Sequence, residues 1–342
     1  NNGSSEYIGY APSVMANDQL TWETTDQWNV GVDFGFLKNR INGTVEFYLQ
    51  NTKDLLLKRQ LPVVSGFSSV MSNVGSTRNK GIEITLNTRN IMNRNFTWST
   101  DLTFSANKEE IVELYNGKTD DVGNLWFIGQ PIDVYYNYKK IGIWQNTEND
   151  LAEMAKFNEK GANFKPGSIR LEDVDGDYKI TEEDKQILGS VRPKFVASMV
   201  NNFEFKGFDL SVFLYASVGG LLRNNIEFME KPGRGNTVKV DYWTSTNPTN
   251  AFPRPSVDVE KLDYISTLGY DKADFLRIRN ITLGYTLPEM WSKKVLMDKI
   301  RIYLSANNPA IFTNFTGIDP EGANGRTAPS YSTWMFGINL SM

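Results

Sequence analysis

The chain has 342 residues, with 36 Lys and Arg against 40 Asp and Glu, and it contains neither Cys nor His. Disulfide staples, thiol nucleophiles, imidazole bases and His- or Cys-ligated metals are thereby excluded, and a net charge of −4 offers no footprint for nucleic acid. No run approaches the roughly 18 consecutive apolar residues of a transmembrane helix, so a bilayer could be crossed only by strands.

Asn1–Leu20 is polar, bears Gly and Ser, and reads as loop. It has no basic n-region and no apolar h-region, so a signal peptide is expected to have been removed or to lie upstream. Trp28–Gln50 then gives two runs of alternating polarity around a polar turn. Trp28, Val30, Val32, Phe34 and Phe36 share one face of the first run; Ile41, Gly43, Val45, Phe47 and Leu49 share one face of the second. Period two marks strands, and each run is about the 9–11 residues that a tilted strand needs to cross a bilayer.

The pattern recurs at Gly81–Thr88 and Phe96–Ala106, and again at Phe195–Phe205 and from Phe208 to Ala216 across a Lys206-Gly207 turn. Asp274–Leu287 shifts its apolar parity between Ile278 and Ile281, which predicts a bulge near Arg279-Asn280. Lys299–Asn307 and Thr333–Met342 complete nine strands. Short turns at Leu37–Arg40, Ile91–Asn95, Lys206-Gly207 and Pro288–Asp298 alternate with long loops at Lys58–Lys80, Asn107–Val191, Gly219–Lys272 and Asn308–Ser332. Outer-membrane barrels have this asymmetry, with short periplasmic turns and long external loops. A soluble β-sandwich also uses alternating strands, but the aromatic residues near strand ends and the Gly, Ser, Thr and Asn on the opposite faces favour a lipid-facing band around a wet lumen.

The runs LTWETTDQWNVGVDFGF, SGFSSVMSNVGSTRNKGIEI, GSIRLEDVDGDYKITEEDKQILG with RPKF, NPTNAFPR, and DFLRIRNITLGYTLP resemble SusC/RagA-type TonB-dependent transporters of Bacteroidetes outer membranes, in order and over nearly the whole chain. The resemblance implies an all-β transmembrane antiparallel barrel of about 22 strands with a plugged lumen, of which this is the C-terminal part. The family's plug, TonB-contacting segment and earlier strands have no counterpart here, and nine strands leave an odd remainder of about thirteen. Such barrels commonly end in an aromatic residue, whereas this chain ends in Met342. The expected organisation is one partial barrel over 1–342, with a long external loop at 107–191. The implied function is non-enzymatic import of an oligosaccharide, or alternatively an oligopeptide, handed over by a SusD-like surface lipoprotein and energised by TonB. A barrel-anchored adhesion protein is the reading from another class.

The sharpest local chemistry is DVDGDYKITEED, residues 173–184. Side-chain oxygens fall at Asp173, Asp175, Asp177, Thr181 and Asp184, with the Lys179 carbonyl between them, in the order of an EF-hand loop. Ca²⁺, with Mg²⁺ second, is the expected ion, in a structural role that stiffens the long loop. Tyr178 stands where EF-hand loops require Gly, and an acidic turn without an ion is the alternative. Trp126, Tyr135, Tyr136 and Trp144, within an aromatic segment that also holds Phe127 and Tyr138, and Trp243 beside NPTNAFPRP, are candidates for stacking on a substrate; packing within the loop is the competing reading.

Overall fold

The computed structural model describes residues 14–224, 240–255, 263–322 and 330–342. Most of the N-terminal segment read as loop, and parts of the loops before β7 and β9, therefore lie outside the described residues. Nine strands form one sheet: β1 Thr24–Phe36, β2 Ile41–Lys53, β3 Ser76–Met92, β4 Phe96–Glu113, β5 Phe195–Phe205, β6 Phe208–Val218, β7 Phe275–Thr286, β8 Lys299–Thr313 and β9 Thr333–Ser341. Each strand lies beside its neighbour in sequence, so the sheet is a simple meander. The ladders from β5 through β9 are antiparallel.

Local chemistry accounts for the details. Phe205 pairs with Phe208 across a two-residue turn, and Lys206 and Gly207 take φ of 47° and 89°, the left-handed pair that a hairpin of this length needs. Arg279 is the extra residue on β7 against β6, where the consecutive Phe213 and Leu214 pair with Asn280 and Ile278. The bulge therefore falls where the parity shift placed it. β3 and β4 run to 17 and 18 residues, longer than the alternation predicts. Their ends lose the polarity pattern, as expected where a strand leaves an apolar layer and both faces become wet.

Among the described residues, no second layer covers the apolar faces of β1 and β9. Trp28, Val30 and Val32 on β1 are 73%, 65% and 59% exposed, and Trp334, Phe336, Ile338 and Leu340 on β9 lie between 54% and 70%. A sandwich would have buried them against a facing sheet. Stripes of this kind are at home in lipid.

By contact density the chain divides into two compact units: Asn1–Gly35, Asn42–Thr85 and Ser105–Ile132, and then Phe36–Ile41, Leu86–Phe104 and Asp133–Met342. In the first, Thr44 donates to Asp33 at 2.7 Å across β1 and β2, and Leu56–Gln60 pairs with Ser69–Asn73. The stretch read as one loop over 107–191 is thus shared between the two units, and its first residues belong to β4. Among the described residues, the second unit holds three clusters of buried hydrophobic residues, at Ile143 with Trp243, at Trp144 with Phe157, and at Leu222 with Phe315.

Candidate functional site

The candidate site lies in the second unit, between β4 and β7. Val134–Tyr138 pairs with Lys185–Ser190, and Lys140–Ile143 pairs with Ile169–Leu171. Between the latter two strands lies α1, Glu148–Glu159, capped by Thr147, whose hydroxyl accepts the Asp150 N–H. Sequence alternation missed this helix because it is short and only Met154 and Phe157 are buried. Its signal was the Thr147 cap followed by acids in the first turn and apolar residues three apart.

The acidic stretch 173–184 joins the two small sheets, running from Leu171 to Lys185. The carboxylate oxygens of Asp173, Asp175 and Asp177 lie within 4.8 Å of one another. Asp173 accepts the N–H groups of Gly176 and Tyr178 at 2.8 and 2.9 Å. Asp184 is 1% exposed and accepts from Val174 and Thr181 at 2.8 and 2.7 Å, while the Thr181 hydroxyl accepts from Glu183. Thr181 and Asp184 thus close the loop as a capping box, and each carboxylate oxygen retains a second lone pair. Tyr178 has a φ of 62°, the left-handed conformation for which EF-hand loops use Gly. Its ring meets Phe157 edge-on at 5.4 Å, and this packing holds a backbone that disfavours a side chain by about 1–2 kcal/mol. Ile180 packs against two of the buried clusters, which anchors the stretch to the rest of the unit.

The aromatic candidates separate. Trp144 is 1% exposed, at the centre of a cluster with Met154, Phe157 and Phe164. The Arg170 guanidinium lies 4.4 Å above its ring and is itself held by Asp150 and Glu153 of α1 at 3.2 and 2.5 Å. Trp243 is 8% exposed and donates its indole N–H to Gln145 at 2.8 Å. These two therefore pack the loop from within. Tyr135 is half-buried, edge-on to Tyr270 at 5.2 Å, and Tyr136 stands opposite Ile187 on the neighbouring strand. Trp126 belongs to the first unit, where its backbone pairs with Asp121.

The NPTNAFPR stretch is a staple. Asn247 and Thr249 donate to Asp241 at 2.8 and 2.5 Å, and these bonds hold the Asp241 carboxyl below its ordinary value. Asn250 accepts the Ile143 N–H at 2.9 Å, and the Lys140 ammonium donates to the Asn250 and Ala251 carbonyls at 2.8 and 2.7 Å. Beside it opens a cleft of about 810 Å³ whose walls include Lys140, Phe252, Tyr270, Asp271 and Asn224. Burial lowers the pKa of Lys140, and nearby Asp271 acts in the opposite direction. Local sequence patterning does not reveal this cleft, since its walls are drawn from residues between Lys139 and Thr316 along the chain.

Comparison with known proteins decides the family. Residues 1–309 match the family model described as TonB dependent receptor-like, beta-barrel. The chain belongs to this TonB-dependent receptor family. It is 32% identical over 370 residues to TonB-dependent receptor P3 of Formosa agariphila, covering 99% of this chain and 36% of that protein. It is 30% identical over 353 residues to TonB-dependent receptor SusC of Bacteroides thetaiotaomicron, covering 99% and 34%. In fold it is similar to the RagAB peptide transporter, with a TM-score of 0.76 and 25% identity over 99% of this chain and 38% of that one. The same importer in an open-open state gives 0.76 and 26%, over 100% and 37%. The chain spans about a third of the length of the relatives it matches. It is a SusC/RagA-type outer-membrane barrel segment, so the soluble sandwich is excluded and the exposed apolar faces of β1 and β9 face lipid.

Proposed function

We propose that this TonB-dependent barrel segment forms part of the wall and the external loops of a SusC-like importer. The importer passes an oligosaccharide captured by a SusD-like surface lipoprotein into the periplasm, and TonB supplies the energy through the plug region that the family places ahead of these strands. What carries this reading is the agreement over 99% of the chain with SusC, in order along the sequence. Oligopeptide cargo is the second reading, favoured by the similarity to solved structures described as a peptide transporter and importer. The barrel-anchored adhesion protein is the remaining alternative.

The reading includes a Ca²⁺, with Mg²⁺ second, held by Asp173, Asp175, Asp177 and the Lys179 carbonyl, with Thr181 and Asp184 closing the loop. The three convergent carboxylates repel one another unless something neutralises them, and a divalent ion supplies that neutralisation. The role is structural: it stiffens the connection between the two small sheets.

The test is purification of the full-length protein from native outer membranes, with mass spectrometry of what accompanies it, followed by growth of a deletion strain on oligosaccharides and on oligopeptides as sole nutrients. A stoichiometric lipoprotein and a growth defect on oligosaccharides support the first reading, and a defect on peptides alone supports the second. Normal growth on both with no lipoprotein sinks import and leaves the adhesion protein.

A further inference from the structure

The connection between β7 and β8 differs from the other short turns. Pro288 leads into one turn of α-helix, Glu289–Ser292, and then into a 3₁₀ turn, Lys293–Val295. Its inner side is closed by polar bonds. Ser292 is fully buried, its hydroxyl lies 3.2 and 3.3 Å from the Glu289 and Asp298 carbonyls, and the Asp298 N–H reaches the Ser341 carbonyl of β9 at 2.8 Å.

The outer side carries four large apolar residues that are more than half exposed: Met290 at 67%, Trp291 at 54%, Val295 at 57% and Leu296 at 87%. Leu296 also holds a φ of 58°, so a chain that had only to turn here in water would gain from Gly or Asn. Lys293 and Lys294 lie between the two apolar pairs in sequence. One tryptophan, three aliphatic side chains and adjacent lysines make the composition of a segment that lies in a membrane interface. The turn is also continuous with the lipid-facing band, because β9, to which it is bonded at Ser341, exposes Ile338 and Leu340, and Met342 just beyond it is exposed too.

We propose that residues 288–298 form an interfacial anchor. Met290, Trp291, Val295 and Leu296 insert among the acyl chains of the periplasmic leaflet, and Lys293 and Lys294 meet the phosphates of its phospholipids. Each buried side chain of this size favours insertion through loss of its apolar surface from water, and the anchor sets the depth of β7 and β8 in the bilayer.

Spin labels in the full-length protein, reconstituted in phospholipid bilayers, test this. Single Cys residues replace Trp291, Leu296 and Lys294; Leu340→Cys serves as a lipid-band reference and Asn95→Cys, in another short turn, as an aqueous one. All five positions are exposed, so the variants are expected to fold, and heat-modifiable migration checks assembly. The expected result is that labels at 291 and 296 favour collision with oxygen over a water-soluble nickel chelate, as at 340, while 294 behaves like 95. Labels at 291 and 296 that meet the chelate as freely as 95 overturn the proposal in favour of an aqueous turn. Labels shielded from both agents overturn it in favour of a protein partner, such as a plug or a second copy.

Discussion

The Arg277 guanidinium of β7 donates to the Asp319 carboxylate at 2.7 Å, and both residues are almost fully buried, at 3% and 6% exposure. Asp319 also accepts from the N–H groups of Glu321 and Ser330 and from the Ser330 hydroxyl at 2.6 Å. One carboxylate thereby ties two points of the loop before β9 to the bulged strand. Glu321 adds a second acid, 3.3 Å from Arg277 Nε and paired with Arg279.

Removing one partner of a buried pair costs about 3–5 kcal/mol, because the other charge is left without compensation. Arg277→Met strands Asp319, whereas Asp319→Asn leaves Arg277 with Glu321. The arginine variant is expected to lower the thermal midpoint in detergent more than the aspartate variant, and Arg277→Met with Asp319→Leu is expected to recover part of the loss. Equal midpoints for the two single variants would show that the pair is not the anchor.

The same carboxyl predicts a pH dependence. Burial pushes the Asp319 pKa up, but bonds from Ser330, the Glu321 N–H and Arg277 together outweigh it and hold the value below the ordinary 3.8. A depressed folded-state pKa contributes stability that is present above 3.8 and lost as the pH falls through the lower folded value. The difference in stability between the native chain and Asp319→Asn is therefore expected to be constant above pH 5 and to shrink in the acid range. A difference that grows on acidification would reverse the sign and contradict the assignment.

Gly167 has a φ of 88°, and a Cβ there would lie 2.5 Å from the Trp243 ring and 2.7 Å from Arg254 Cβ. Gly167→Ala combines backbone strain with overpacking, together about 3 kcal/mol. Gly161→Ala is the control, since its φ is 101° but nothing lies within 4 Å. Limited proteolysis near Trp243 is expected to accelerate strongly in the first variant and slightly in the second, and matching rates would mean that the staple does not depend on this contact.

The acidic loop supplies a prediction by metal removal. Millimolar Ca²⁺ is expected to slow proteolysis within 172–185, chelation to restore cleavage, and Mg²⁺ to act more weakly. An ion at a hundredfold its dissociation constant stabilises its site by about 2.7 kcal/mol. Asp175→Asn with Asp177→Asn is expected to remove the response, and identical cleavage with and without Ca²⁺ in the native chain would exclude the site.

Period-two alternation by itself determined the nine sheet strands, the Lys206-Gly207 hairpin and the bulge at Arg279, because each is a local choice about which side a residue faces. The order of oxygen-bearing residues from Asp173 to Asp184 likewise needs only twelve consecutive positions. Tertiary structure alone decided what the aromatic residues do. Trp144 and Trp243 read in sequence like surfaces for a ligand, and they are buried because Arg170, Gln145 and the Asn250 staple close around them from elsewhere in the chain. The left-handed backbone at Tyr178 is likewise held by Phe157, twenty-one residues away along the chain. The cleft beside Lys140 and the Arg277–Asp319 tie belong to the same class. Each depends on long-range contacts whose geometry is set only when the strands have placed their loops side by side.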